Sequence, residues 1–561
     1  MEIIFSYSHD RCPACGSRLK TYSVNRRTVK GVDSIFTAVH RIMMCPLDKK
    51  KFRSEKLDLM IPPKCTYSNE VMVEGAKKRF LEGRSGSEMF SSLDISEGHA
   101  RKLSNQALEI FSRIHEESVP KLKEQMESYI LQIDGTADSE FSMIVAVRDS
   151  VSGFVLYVKR CDSESEESIK DVLNTVKSGF GIPSGITCDM RSGIISAAQI
   201  VFPHTPIRIC LMHFLRDLGK DLMEDIHTDL GLMINSAGIK SSLRKILREI
   251  PDYNQKTLEE IESGFCTDRS RIETMAIRRI LENILSLKSS GYGFPFSLRH
   301  LNFFTACEEG KKKLSDLAPA VTEKESGELI SSIEKYISKI TGNTRIKETA
   351  NKLRDINSII FQKIREAFRI PGQGNLSVDT YNPLTDDSIV QSSCTIVFGE
   401  IDVYMRTRLE KHMFTAAKLA VERYRKRESM LFAQNPECTI PRTNNNMEIF
   451  FRKIRRNIRK RSGNRSTGNI LAQSGEKLAL FQNIGNPEYR DIVFGSGDMG
   501  AVFAKYRKPF KKDGRTRKRT IEVVDEGTEM ILSNSLRTDP YTEEMFNKSS
   551  GLYINKRNNG Q

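Results

Sequence analysis

No stretch of this 561-residue chain approaches the ~18 apolar residues of a membrane-spanning helix. The opening Met1-Glu2-Ile3-Ile4-Phe5 also lacks a signal-peptide pattern. Together these absences argue against a membrane partner and predict a soluble, intracellular protein, in the cytoplasm or nucleoid of a prokaryote or the nucleus of a eukaryote. Cysteine is sparse: eleven are scattered over the chain, an odd number without the density of a secreted disulfide scaffold. They are expected to be reduced, with some in the core and a few as metal ligands. Acid is nearly missing from two segments. Residues 442–465 hold nine Lys or Arg against Glu448 alone, and residues 505–519 hold nine against Asp513 alone. Each nets +8, so these segments account for the whole-chain charge of +15 and leave the remainder near neutral. Charge concentrated in this way marks contact surfaces for an anionic partner rather than general solubility.

The length implies several domains, each able to bury its own core. Residues 1–66 contain Cys12-Pro13-Ala14-Cys15 and Cys45-Pro46-Leu47-Asp48. Two such knuckles brought together by a hairpin form a tetrahedral Zn²⁺ site. Here the set Cys12, Cys15, Cys45 and Asp48 reads as a zinc-ribbon-like domain with Asp48 in place of a fourth cysteine, and Cys65 or His9 as substitutes. Residues 67–120 show three amphipathic helical patterns, opened by Ser68, Ser85 and Ser96 as N-caps. The tight link Asp94-Ile95-Ser96 resembles a helix-turn-helix, which makes this segment the expected DNA-reading domain.

From Tyr129 the period changes. Residues 129–133, 140–147 and 153–160 read as strands, followed by a helix over 168–180, a strand at 186–188, a helix over 192–201, a strand at 207–210 and a helix from Phe214. The order βββαβαβα is that of the ribonuclease H fold, a mixed-sheet α/β core. Residues 121–225 form its first part, and residues 226–435 lose the strand pattern and read as a mainly helical insertion. Gly372-Gln373-Gly374 and Thr380 to Asp387 mark loops within the insertion. Residues 436–490 return to the core with a final helix. Residues 491–561 form a basic tail, and the chain after Gly485 is expected to be extended. The fold class is therefore multidomain α/β.

Three acids stand out. Asp134 is expected at the end of the first strand, where Gly135 turns the chain out, and Asp189 at the end of the fourth; in this fold those strands are neighbours. The third, Glu448, opens a helix that Asn444 or Asn445 can cap. With Glu448 at zero on a helical wheel, Met447, Phe451, Ile454 and Ile458 gather between about −60° and −120° as a core face. Arg452, Arg455 and Arg459 fall within about 40° of Glu448 on the same wheel.

Asp134, Asp189 with the downstream Cys210-Leu211-Met212-His213, and Thr443-Asn444-Asn445 leading into Glu448 resemble the Mutator-type group of DDE transposases over roughly residues 65–485. That group carries a Cys-x-x-His element after its second acid, matched by Cys210 and His213. The resemblance implies an Asp-Asp-Glu triad that binds two Mg²⁺ or Mn²⁺ ions per active site. It further implies cut-and-paste cleavage at terminal inverted repeats, 3′-hydroxyl transfer into double-stranded target DNA, and at least a homodimer in the synaptic complex. Arg452, Arg455 and Arg459 are then expected to guide phosphates to the metals, and Lys511, Lys512 and Arg517 to contact the DNA backbone. A domesticated relative acting as a DNA-binding regulator, and a ribonuclease-H-like nuclease, are the alternatives.

Overall fold

A computed structural model describes residues 1–507 apart from residues 63–64, 138–142, 164, 253–258, 261–262, 265–267, 287–292, 370–386 and 408–409. The loops expected at 372–374 and 380–386 lie outside the described residues, as do Lys511, Lys512 and Arg517. The fold is mixed α/β with two mixed sheets. It divides into two compact units: Met1–Tyr129, Asp134–Ile182 and Met447–Gln561 form the first, and Ile130–Ile133 and Pro183–Asn446 the second.

In the first unit, β1 (Glu2–Phe5) pairs in parallel with β3 (Ile35–Met44), and β2 (Lys20–Lys30) and β4 (Lys51–Phe52) pair antiparallel to β3. Helix α1 (Glu55–Met60) follows. The three serines then precede helices as the sequence predicts, α2 (Asn69–Phe80), α3 (Gly86–Leu93) and α4 (Glu97–Gln125), but Ser96 makes no side-chain cap because its hydroxyl bonds His99 Nδ1 instead. Ser68 accepts from the Val71 N–H, and Ser85 forms a capping box with Glu88, which satisfies backbone donors left open at a helix start. Asp94 ends α3 in the left-handed region, at φ 49°. Helix α4 buries Ala100, Leu103, Ala107, Leu108 and Phe111 and continues through Pro120, so no break separates it from the segment after residue 120.

The second sheet has the order β7-β6-β5-β8-β9, with β5 (Ile130–Ala137), β6 (Met143–Asp149), β7 (Val155–Cys161), β8 (Gly185–Cys188) and β9 (Ile207–Ile209). Its strand β5 is shared: Ile130–Ile133 belong to the second unit and the rest to the first. β6 and β7 are antiparallel, whereas β5, β8 and β9 run parallel. Parallel neighbours need crossovers, and α5 (Glu166–Phe180) and α6 (Ser192–Val201) supply helices at the predicted places. From α7 (Leu211–Ser236) the second unit is helical, as the periodicity of residues 226–435 predicts. It comprises α8 (Ile239–Glu249), α9 (Arg269–Leu285), α10 (Arg299–Leu317), α11 (Lys324–Thr341), α12 (Thr344–Asp355), a π-helical turn at Ile356–Phe361, α13 (Gln362–Ala367), α14 (Asp387–Thr407) and α15 (Lys411–Leu431).

Helix α16 (Asn445–Ser462) buries Met447, Phe451, Ile454 and Ile458, the expected face, with Phe450 added to it. It is followed by α17 (Gly468–Phe481), α18 (Pro487–Phe494) and α19 (Met499–Lys505). These last two correct the expectation of an extended chain after Gly485. Asn486 caps α18 with Pro487 at its first position, and Asp498 caps α19, so local capping outweighs the polar composition.

Candidate metal and acidic sites

The N-terminal knuckles close on each other. In the first, the Gly16 N–H donates to the Cys12 carbonyl at 2.9 Å while Gly16 takes φ +73°. The second repeats the geometry, with Lys49 N–H to Cys45 carbonyl at 3.1 Å and Lys49 at φ 58°. Two thiols and two second-knuckle groups are thereby aimed at one point. Cys15 Sγ lies 3.4 Å from Cys45 Sγ, and Cys12 Sγ 3.5 Å from Asp48 Oδ2. One ligand atom from each of Cys12, Cys15, Cys45 and Asp48 falls within 4.8 Å of the others. Among the described residues this is the only group of three or more His, Cys, Asp or Glu side chains so arranged. Three soft thiols and a carboxylate suit a metal ion such as zinc. Asp48 completes the set, and neither His9 nor Cys65 is part of it.

Cys15 and Cys45 differ in acidity. Hydrogen bonds from Ser17 bring the exposed Cys15 down to about 7, whereas burial, then the Asp48 carboxylate, push Cys45 up to about 11. Cys15 is therefore the more readily ionised of the two, and Cys45 the thiol whose proton a metal must displace.

The acids predicted for catalysis occupy different settings. Asp134 is 8% exposed and sits inside β5, which continues to Ala137; Gly135 does not turn the chain out, contrary to the sequence expectation. Its carboxylate accepts from the Gly135 N–H at 2.9 Å. Asp189 is 5% exposed and follows β8 directly, as expected. Burial raises its pKa, opposed by the Arg191 N–H and by His213, with Asp217 adding to the rise. Arg191 also pairs with it at 3.2 Å. Glu448 lies in the first turn of α16 and is half-buried.

Inside the second unit a chain of hydrogen bonds joins positions leading to these acids. The Cys210 N–H donates to the Cys188 carbonyl at 2.8 Å, and Asn444 N–H to Cys210 Sγ at 3.2 Å. The Asn444 side-chain amide then donates to the Ile133 carbonyl at 2.9 Å, across 311 positions of sequence. Cys188 precedes Asp189, Ile133 precedes Asp134, and Asn444 stands four residues before Glu448. Asn444, fully buried, thus donates its amide to a β5 carbonyl, while its Oδ1, the atom a helix cap would use, accepts no hydrogen bond among the described residues. The Leu211 N–H donates to the Arg442 carbonyl at 2.9 Å beside it. Cys210 is buried in this chain as a hydrogen-bonding thiol, while His213 acts on Asp189 through space.

Sequence reasoning missed a buried ion cluster in the same unit. Arg208, whose side chain is 1% exposed, holds Asp387 through two hydrogen bonds at 2.6 and 2.9 Å, and Arg442 pairs with the same carboxylate. These partners look like ordinary surface charges in the sequence. Of the three α16 arginines expected to guide phosphates, Arg452 and Arg459 are exposed, whereas Arg455 is half-buried and donates to Thr136 Oγ1 on β5. No helix among the described residues is long and apolar enough to cross a membrane. No protein-family model and no curated protein matches this chain.

Proposed function

We propose that the chain is a DNA transposase of the Mutator-like DDE kind, acting through Asp134, Asp189 and Glu448. The observation that carries this reading is the hydrogen-bond chain Cys188–Cys210–Asn444–Ile133, because it ties together segments that lead into all three acids. The strand order β7-β6-β5-β8-β9, with one antiparallel pair and three parallel strands, supports a ribonuclease-H-like core. Carboxylates are the oxygen donors that Mg²⁺ or Mn²⁺ prefers. When bound, such ions stabilise charge on phosphate oxygens and make a bound water nucleophilic.

The chain's own residues do the rest. Burial raises the pKa of Asp189, and the Arg191 N–H and then His213 work against that rise. Arg452 and Arg459 guide the DNA backbone from the exposed side of α16. Helices α3 and α4 serve as a helix-turn-helix that recognises transposon ends, and the N-terminal cluster holds one Zn²⁺ in a ribbon-like domain. Two copies act together at paired ends.

The test is an incubation of the full chain with Mg²⁺ or Mn²⁺ and DNA carrying the inverted repeats that flank its gene, plus a target plasmid. Strand breaks at the repeat ends and joined products are expected. Intact DNA under all conditions, from folded protein that binds the repeats, refutes the reading.

A further inference from the structure

Two arginines of the first unit, Arg79 in the last turn of α2 and Arg461 in the last turn of α16, lie against one aromatic ring. Their guanidinium carbons stand 5.5 and 4.9 Å from the Phe80 ring centroid. The ring is fixed, being 2% exposed and edge-on to Phe481 at 5.8 Å. The two helix ends are fixed as well. On α16, the Asn457 amide donates to the carbonyls of Phe80 at 3.3 Å and Leu81 at 2.8 Å, satisfying the open end of α2. The turn that follows passes so close that a Cβ on Gly83, at φ +70°, would lie 3.1 Å from Asn457 Cα.

Among the described residues neither guanidinium has a hydrogen-bond or ion-pair partner. The carboxylate that acts on Arg79 is Glu97, itself paired with Arg101 at 3.4 Å. Burial, then a neighbouring guanidinium, bring both arginines down to about 10. Helix C-termini favour positive side chains, but they do not call for two half-buried ones against the same ring. Lys460, also on α16, donates to the Glu82 carbonyl and adds a third cation nearby.

We propose that Arg79 and Arg461 together grip a backbone phosphate of duplex DNA, held in place by Phe80. This rests on the DNA-acting reading above and adds to it a contact outside the acidic triad, made by the end of α2. Guanidiniums suit phosphate oxygens because their paired N–H groups match them. A contact of this kind sets the register of the duplex and carries no sequence information itself.

The experiment measures binding of the full chain to labelled duplex DNA of unrelated sequence over a range of KCl concentrations, for wild type, Arg79→Gln/Arg461→Gln and Arg79→Lys/Arg461→Lys. The Gln pair is expected to bind about tenfold more weakly, with a log–log salt slope shallower by about 1 for the phosphate released. The Lys pair keeps the charge, so its slope stays at the wild-type value while its affinity falls less. Thermal midpoints of the Gln pair at or above wild type are expected, since mutual repulsion is removed. Wild-type affinity and slope in the Gln pair overturn the proposal alone. Failure of wild type to bind duplex DNA overturns it together with the transposase reading. A loss seen with duplex RNA and not with DNA also overturns it.

Discussion

At the scale of single residues, Asn444 bears no charge yet joins segments that lead into the three acids. Its amide supplies the partner for the Ile133 carbonyl, and its N–H engages Cys210 Sγ. Replacing Asn444 with Ala leaves a buried carbonyl unpaired, and the expected cost is about 1–3 kcal/mol. Chemical denaturation should show that loss, and cleavage should fall further than the remaining folded fraction explains. Unchanged stability would mean that water or another group replaces the amide. The N-terminal cluster makes a separate claim. Metal analysis of the full chain should find zinc near one equivalent, and Cys45→Ser should lose it. Retention of metal by that variant would place the ion elsewhere. Zinc affinity should also fall with acidity, because Cys45 must give up its proton.

At the scale of elements, α7 and α10 approach through two histidines. His227 and His300 are 8% and 7% exposed, with ring centroids 4.7 Å apart, and a Cβ at Gly231 would lie 2.7 Å from His300 Nε2. Burial comes first in bringing both down to about 4, followed for His227 by His300 and Arg299 and for His300 by Arg299 and Lys240. Unfolded histidine binds protons from about pH 6.5, so between there and about 4 the unfolded state holds more protons and stability rises with pH. The contribution is full at neutral pH and is lost on acidification, by about 1–2 kcal/mol per histidine at pH 5. Urea titrations at pH 7.5 and 5 test it; equal midpoints would show that the pair is already charged or exposed.

Legibility in the sequence also differs by element. Ser68 and Ser85 announce α2 and α3 because capping is a local event. Gly135 is a turn signal and so puts Asp134 at a strand end in the sequence, yet β5 continues to Ala137. The Asn486-Pro487 start of α18 was equally local, but the polar composition around it hid the signal. Long-range pairing was unreadable: Arg208 and Asp387 are 179 positions apart, and nothing in either side chain singles out the other. The Asn444 bond to β5 was hidden in the same way, since asparagine before a helix ordinarily reads as a cap.

At the scale of the whole molecule, the two sequence segments that hold the excess positive charge differ in what is visible. The first, residues 442–465, is largely α16, which places Glu448 in its first turn and basic side chains along the rest. One helix thus carries an acid at its start and a row of basic side chains behind it. The most direct measurement compares metal-dependent cleavage of repeat-bearing DNA by wild type, Asp189→Asn and Glu448→Gln at saturating, equal DNA binding. Both variants are expected to bind DNA and to lose at least about 10³-fold in cleavage rate, roughly 4 kcal/mol of transition-state stabilisation. Cleavage at the wild-type rate by either folded variant would contradict the proposed catalytic role of these acids.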